Sequence, residues 1–259
     1  MSEPDLAPVA LVTGGAGGIG SAIVRRLARR GCRVAVADLD RSAAAAVAEP
    51  VGGVAVEVDV TDFDANHAMV AEVLAHYGRL DVLVLNAGIN SGIPGVQPLD
   101  LERYRRAMAV NVDGVAFGLD AARPALSVRG GAVVMMSSLA ALSPGVSNPV
   151  YTLGKSAIVG YARAMARPLR QIGVTVNAIC PAFVDTPMLG STTRQLLVDR
   201  DFPLLTPDDV AGAVATVLDS GQSGETWVLV AGRPPVQYEF ADIPATLLPD
   251  GSPVRPLGT

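Results

Sequence analysis

Tyr151 and Lys155 stand four residues apart in the stretch VYTLGKSA, and Lys155 is the single lysine among the 20 basic residues of this 259-residue chain. On a helix, residues four apart share a face, so the phenol and the ammonium point into the same space. A cation beside a phenol favours the phenolate and draws its pKa down from about 10, towards the range in which a general base works. Lysine also offers three donors on a flexible stem, enough to hold ribose hydroxyls while its charge stays near the phenol. A planar guanidinium does not reproduce that geometry. By itself such a pair is usually a solvent-facing helix pair, but here it has company. The apolar run Ala132–Met136 ends in Ser137 and Ser138, thirteen residues before Tyr151 across a Gly/Pro-containing loop. Ser138 can donate to a substrate oxygen and turn it towards Tyr151, whereas Ser137 points to the opposite face and reads as structural. Asn111 sits where helix propensity does not favour it. It reads either as a buried, satisfied amide or as the holder of a water that passes protons to Lys155. The chemistry this set can do is proton transfer at a carbinol.

The elements that must position these groups alternate along the chain. Strand-length apolar runs occur at Val9–Val12, Arg33–Ala37, Val54–Val58, Val82–Leu85, Ala132–Met136, Thr175–Ile179 and Thr226–Val230. They lack polar alternation, as strands covered on both faces do. Helix-like segments lie between them at Gly20–Arg30, Arg41–Ala48, Asp64–His76, Leu101–Leu126, Val150–Gln171 and Asp208–Asp219, with Pro168 expected to kink or end the fifth early. Repeated βα units predict an α/β, doubly wound, mostly parallel sheet with helices on both faces. Without a Gly/Ser linker between Val9 and Val230, the chain reads as one domain over residues 1–232, including a substrate lid over about 186–206. The remaining 233–259 form a Pro-rich tail, read either as disordered or as an arm over the active site or a neighbouring subunit.

The first unit carries a glycine loop, Gly14-x-x-x-Gly18-Ile19-Gly20, between a strand and an opening helix. Glycines let the backbone approach a pyrophosphate, and the helix N-terminus supplies free N–H groups and a positive dipole end. Asp38 ends the second strand, where a carboxylate accepts from adenosine ribose hydroxyls and repels a 2′-phosphate, favouring NAD over NADP. Asp40 is better placed to cap the next helix, and Arg41 is near enough to tolerate a phosphate. Asp59 and Val60 follow the third strand and meet either the adenine edge or only their own turn. Asn86, Ala87 and Gly88 end the fourth strand, where small residues let the chain pass close to a cofactor.

Composition narrows the classes further. A net charge of −5 without a dense basic cluster excludes a nucleic-acid groove. The acidic start lacks the features of a signal peptide, and no apolar run reaches membrane-spanning length. Cys32 and Cys180 read as reduced, buried residues, and with two histidines there is no material for a metal site. These features predict a cytoplasmic globular protein that meets neither membrane nor nucleic acid.

Taken together, Thr13-Gly14-x-x-x-Gly18-x-Gly20, Asn86-Ala87-Gly88, Asn111, Ser138 and Tyr151-x-x-x-Lys155 resemble the short-chain dehydrogenase/reductase family over roughly residues 8–232. The resemblance implies a single-domain Rossmann fold with a seven-stranded parallel sheet and an Asn111–Ser138–Tyr151–Lys155 tetrad. It implies that Thr186 and the backbone of Val184 contact the nicotinamide carboxamide, with Pro181-Ala182 in place of the family's usual Pro-Gly. MSSLAALSPGVSNPVY and VTVNAICPAFVDTPM are similar to the NAD-dependent hydroxyprostaglandin dehydrogenase branch, whose glutamine three residues before the tyrosine is Asn148 here. Asn148 is thus expected to bind a substrate hydroxyl together with Ser138 and Tyr151. The implied reaction is reversible oxidation of a secondary alcohol to a ketone by hydride transfer to NAD. The alternatives are an NADPH-dependent reductase of a ketone or 3-oxoacyl thioester, which Asp38 disfavours, and a non-catalytic nucleotide sensor or scaffold, which the intact Ser138, Tyr151 and Lys155 disfavour. The lid residues Met188, Leu189, Leu196, Leu197, Phe202 and Leu204 suit an apolar ligand or ordinary packing. Arg194 and Arg200 meet either a carboxylate or solvent. The resemblance further implies a homo-oligomer, tetramer or dimer, with the Leu101–Leu126 and Val150–Gln171 helices at one interface.

Overall fold

The computed structural model describes residues 7–93, 98–143, 148–249 and 253. The ends of the expected domain and tail, and residues 144–147 of the loop before Tyr151, lie outside the described residues. Along the first strand, β1 (Val9–Thr13), Val9 and Leu11 enter one apolar core while Ala10 and Val12 enter another. The same alternation runs through β2 (Arg33–Asp38), β3 (Val54–Glu57), β4 (Val82–Leu85), β5 (Gly131–Met136), β6 (Val174–Pro181) and β7 (Thr226–Leu229). A strand buried on both sides has no need of polar residues, which is why these segments read as unbroken apolar runs.

One core is closed by α1 (Gly18–Arg29), α2 (Arg41–Ala48) and α8 (Pro207–Ser220), through Ile23, Leu27, Ala44, Val210 and Val214. The other is closed by α3 (Phe63–Tyr77), α5 (Gly114–Leu126) and α6 (Pro149–Arg170), through Met69, Val73, Leu119, Leu126, Ile158 and Leu169. Burying each large aliphatic side chain contributes about 1.5–3 kcal/mol, so the frame is set by many equivalent contacts and by no single one.

The strand order is β3-β2-β1-β4-β5-β6-β7-β8. The first seven are parallel, as expected. The eighth, β8 (Val236–Gln237), is an addition from the Pro-rich segment and pairs antiparallel with β7. Two residues give no periodicity to read, so this edge strand was invisible in the sequence. Strand order reverses between β1 and β4, which opens a crevice at their carboxyl ends.

The expected Leu101–Leu126 helix is interrupted. α4 (Leu101–Met108) passes through a π-helical turn, Ala109–Asp113, into α5. Such turns gather at functional sites, and this one carries Asn111. Pro168 does not end α6 early. The helix runs on to Arg170, because a proline this close to the end removes one bond from a turn that is already finishing. Beyond β6 the chain forms a short 3-10 turn at Pro187–Leu189 and α7 (Ser191–Val198). This segment, the expected lid, is closed at its base by Asp185 N donating to Leu205 O (2.8 Å) and Leu205 N to Phe183 O (2.9 Å). Among the described residues no helix is long and apolar enough to cross a membrane.

Candidate active site

The glycine loop lies in the β1/β4 crevice. Gly14 has φ +60°, and a Cβ on Gly20 would stand 2.1 Å from Gly14 O, so the turn closes only with glycine there. α1 begins without a side-chain cap and without an acidic residue in its first turn. Its leading N–H groups therefore remain available to an anion. Across the loop, Thr186 approaches Gly18 so closely that a Cβ at 18 would lie 3.0 Å from its Cγ2. The loop and the start of the lid thus face each other.

Asp38 accepts from Ala16 N (2.9 Å), so its carboxylate stands beside the loop. Asp40 caps α2 by accepting from Ser42 N and Ala43 N. Arg41 turns to Glu72 on α3 (3.3 Å). Asp59 accepts from both N and Oγ1 of Thr61 (2.9 and 2.7 Å), so its carboxylate closes its own turn, and the Val60 carbonyl receives Asn66 Nδ2 at 3.0 Å. The turn chemistry expected as one alternative for Asp59 is present. Asn86 fastens β4 to the loop: its Nδ2 donates to Thr13 O and Gly14 O (3.0 and 3.1 Å), and the N–H groups of Asn86 and Ala87 donate to Thr13 Oγ1.

Beneath the loop, Lys155 is 3 % exposed and donates to Met136 O at 2.8 Å. Ser137 Oγ donates to Lys155 O (2.8 Å), the structural use its orientation suggested. Asn111 is buried, and both ends of its amide bond the Ile89 peptide, Nδ2 to O (2.9 Å) and N to Oδ1 (2.8 Å). Asn111 Oδ1 and Lys155 Nζ flank Gly88, 3.1 and 3.2 Å from where its Cβ would be. The Ser138 side chain lies beside the Tyr151 phenol, and Lys155 Nζ is 5.8 Å from the ring centroid. Ser138, Tyr151 and Lys155 thus converge at the carboxyl end of β5.

The electrostatics differ from the expectation. Burial pushes the Tyr151 phenol above its ordinary value, and the Ser138 hydrogen bond only partly opposes this. Burial also lowers Lys155 from 10.5 to about 8. A buried ammonium committed to the Met136 carbonyl does little to draw the phenol down, so desolvation wins. Cys180, expected only as a reduced, buried residue, also reaches this cluster. Its thiol, pushed up to about 11 by burial, is bonded by Ser137 and the Ser138 backbone and lies beside Lys155. The β5/β6 register, Met136 against Ile179, brings it there.

Asn148, expected as a substrate contact, makes three bonds within the protein. Its Oδ1 caps α6 by accepting from Tyr151 N (3.3 Å) and also accepts from Ser91 Oγ, while its Nδ2 donates to Asn90 Oδ1. A short amide preceding Pro149 at the first helical position is a typical cap, a cue present in the sequence. Ser91 and Asn90 carried none. Pro181 ends β6, and Val184 bridges to Leu205 beside Thr186.

A doubly wound nucleotide fold whose switch-point crevice holds a Ser–Tyr–Lys cluster defines a class of dinucleotide-linked oxidoreductases. The chain belongs to the short chain dehydrogenase family, whose model matches residues 8–197. It is 38% identical over 196 residues to 15-hydroxyprostaglandin dehydrogenase [NAD(+)] of Mus musculus, covering 72% of this chain and 71% of that protein. It is 40% identical over 196 residues to sex determination protein tasselseed-2 of Zea mays, spanning 72% of this chain but only 58% of that longer protein. A 3-ketoacyl-(acyl-carrier-protein) reductase from Brucella melitensis, complexed with NADH, superposes with a TM-score of 0.82 at 28% identity, covering 87% of this chain and 98% of that one.

Proposed function

We propose that the protein oxidises a secondary alcohol to a ketone with NAD, reversibly. The observation that carries this is the Tyr151 phenol with Ser138 beside it and buried Lys155 against its ring, next to the glycine loop. In this reading Gly14, Gly18, Ile19 and Gly20 seat the pyrophosphate, and Asn86, Ala87 and Gly88 form the wall between loop and lysine. Pro181, Val184 and Thr186 face the nicotinamide. Asp38 would receive the ribose hydroxyls, and Arg41, turned away to Glu72, offers no seat for a 2′-phosphate. Asp59 and Val60 would border the adenine through backbone alone.

The bound nicotinamide supplies the electron-pair acceptor. Ser138 Oγ orients the substrate oxygen, and Tyr151 Oη takes the alcohol proton or returns it to a carbonyl. Lys155 holds positive charge below the phenol, and Asn111 fixes the Ile89 peptide beside it, where a water would link Lys155 to solvent.

Because burial holds Tyr151 as a phenol in the free enzyme, oxidation is expected to speed up as pH rises above neutrality and reduction to slow. The same protonated state favours a second reading, reduction of a ketone, and the likeness to the ketoacyl reductase supports it. Assembly into a tetramer or dimer through α5 and α6 belongs with this reading, since a side chain at Gly160 would meet open space. Measuring NADH and NADPH appearance over a panel of secondary alcohols, and the reverse with ketones, tests the assignment. Turnover with NADP alone would overturn the cofactor, and reduction without detectable oxidation would overturn the direction.

A further inference from the structure

We propose that Asn148 is a positioning residue whose amide clamps the first turn of α6, and Tyr151 with it, to the Asn90–Ser91 turn beyond β4. The inference rests on the reading of Tyr151 as the proton-transfer group. The first N–H groups of a helix have no partner four residues back. In α6, Pro149 has no N–H, and Thr152 N already reaches Asn148 O (3.0 Å). The amide of Tyr151 itself is satisfied by Asn148 Oδ1. That oxygen also accepts from Ser91, a residue 6 % exposed, and the other end of the amide donates to Asn90 at 2.5 Å.

Asn90 and Ser91 are in turn held by their own local bonds, Gly92 N to Asn90 Oδ1 (2.9 Å) and Ile93 N to Ser91 Oγ (3.3 Å). Below them Ile93, Ala107 and Val150 form a small separate apolar core with Tyr104 against it. Two chain segments more than fifty residues apart are thus locked by a polar bridge above and an apolar contact beneath. Both lone-pair directions of Oδ1 and one of two Nδ2 protons are already used, which leaves little of Asn148 to recognise a substrate.

A cap and a ligand contact respond to different replacements. Asp and Ser cap helices, and Gln does not, whereas Gln preserves an amide for a ligand. Amide hydrogen exchange on the full-length protein without added ligand separates the two and needs no turnover. N148A and N148Q are expected to speed exchange of the Tyr151 amide roughly tenfold or more, with N148D and N148S within about threefold of the parent. N148A should also speed exchange at Gly92 and Ile93, and S91A should produce a smaller version of the same pattern. The phenol midpoint of Tyr151, read by ultraviolet difference against Tyr151→Phe, should rise in N148A as the Ser138 bond slackens and return in N148S. Wild-type protection in N148Q together with loss in N148D and N148S would overturn the proposal. So would Gly92 and Ile93 amides indifferent to N148A. If Tyr151→Phe left turnover intact, the catalytic reading would fall while the exchange pattern still stood.

Discussion

At the floor of the cleft Thr13, Asn111, Ser137 and Lys155 are each 3 % exposed or less, and every one of them is bonded to main chain. At the rim Phe183, Met188, Leu196 and Phe202 are 44 to 48 % exposed. α7 buries only Leu197, and the rim is held by the Phe183–Phe202 edge contact and the surface fork from Arg194 to Asp185 (2.7 and 3.0 Å). Buried polar groups must be paired or they cost stability, so the floor has essentially one arrangement before any ligand arrives. The rim's contacts are few and exposed, so it can differ among relatives that share the floor. On the proposed reading, proton chemistry belongs to the floor and substrate choice to the rim.

The sharpest way to break this contrast is Tyr151→Phe. It should leave NAD affinity within a few-fold and lower kcat on the order of a thousandfold, as expected for loss of a general acid–base group; fluorescence titration and steady-state kinetics read the two parts. A variant turning over near the parental rate would remove the floor's chemical role.

Lys155→Arg should cost on the order of a hundredfold in kcat despite keeping its charge, since the guanidinium cannot keep both the Met136 bond and the ribose geometry. The same lysine has a stability signature. Its folded-state pKa, about 8, lies below the ordinary 10.5. Between those pH values the unfolded chain holds a proton that the folded chain has released. Its contribution is therefore fully present above about 10.5 and lost as pH falls to 8. Urea unfolding of the parent against Lys155→Met over that window should show a relative gain on the order of 3 kcal/mol with rising pH. A flat difference would mean the amine is solvated.

Gly20→Ala should destabilise by about 1–3 kcal/mol through the clash with Gly14 O and weaken cofactor binding in parallel. Thermal melts with and without NAD would show both effects, and an unchanged loop would return parental values. The smallest effect belongs to the rim. Arg194→Ala should leave the melting temperature nearly unchanged, because exposed ion pairs stabilise little, while shifting KM more than kcat. A large loss of kcat there would mean that rim and floor are one unit.

Much of this was legible beforehand. The strands announced themselves because burial on both faces removes polar residues, and the glycine loop because no other residue closes that turn. Ser138, Tyr151 and Lys155 could be placed together because helix period and strand ends fix where side chains point. The bonds of Asn148 were not legible: residue type suggested a donor to substrate, while the partners that engage it here, Asn90 and Ser91, lie more than fifty residues upstream. Asp38 ends β2 and Asp59 follows β3; one reaches the Ala16 amide and the other closes back on Thr61.

Sequence alone determined the doubly wound frame, the glycine loop and the grouping of Ser138, Tyr151 and Lys155, since each follows from periodicity or from a conformational demand local to a few residues. Only the tertiary structure decided the protonation bias of Tyr151 and Lys155, the nearness of Cys180, the π-helical seat of Asn111 and the clasp on α6. Those depend on desolvation and on pairings between distant segments, and the free energy of burying a charge is a property of everything packed around it.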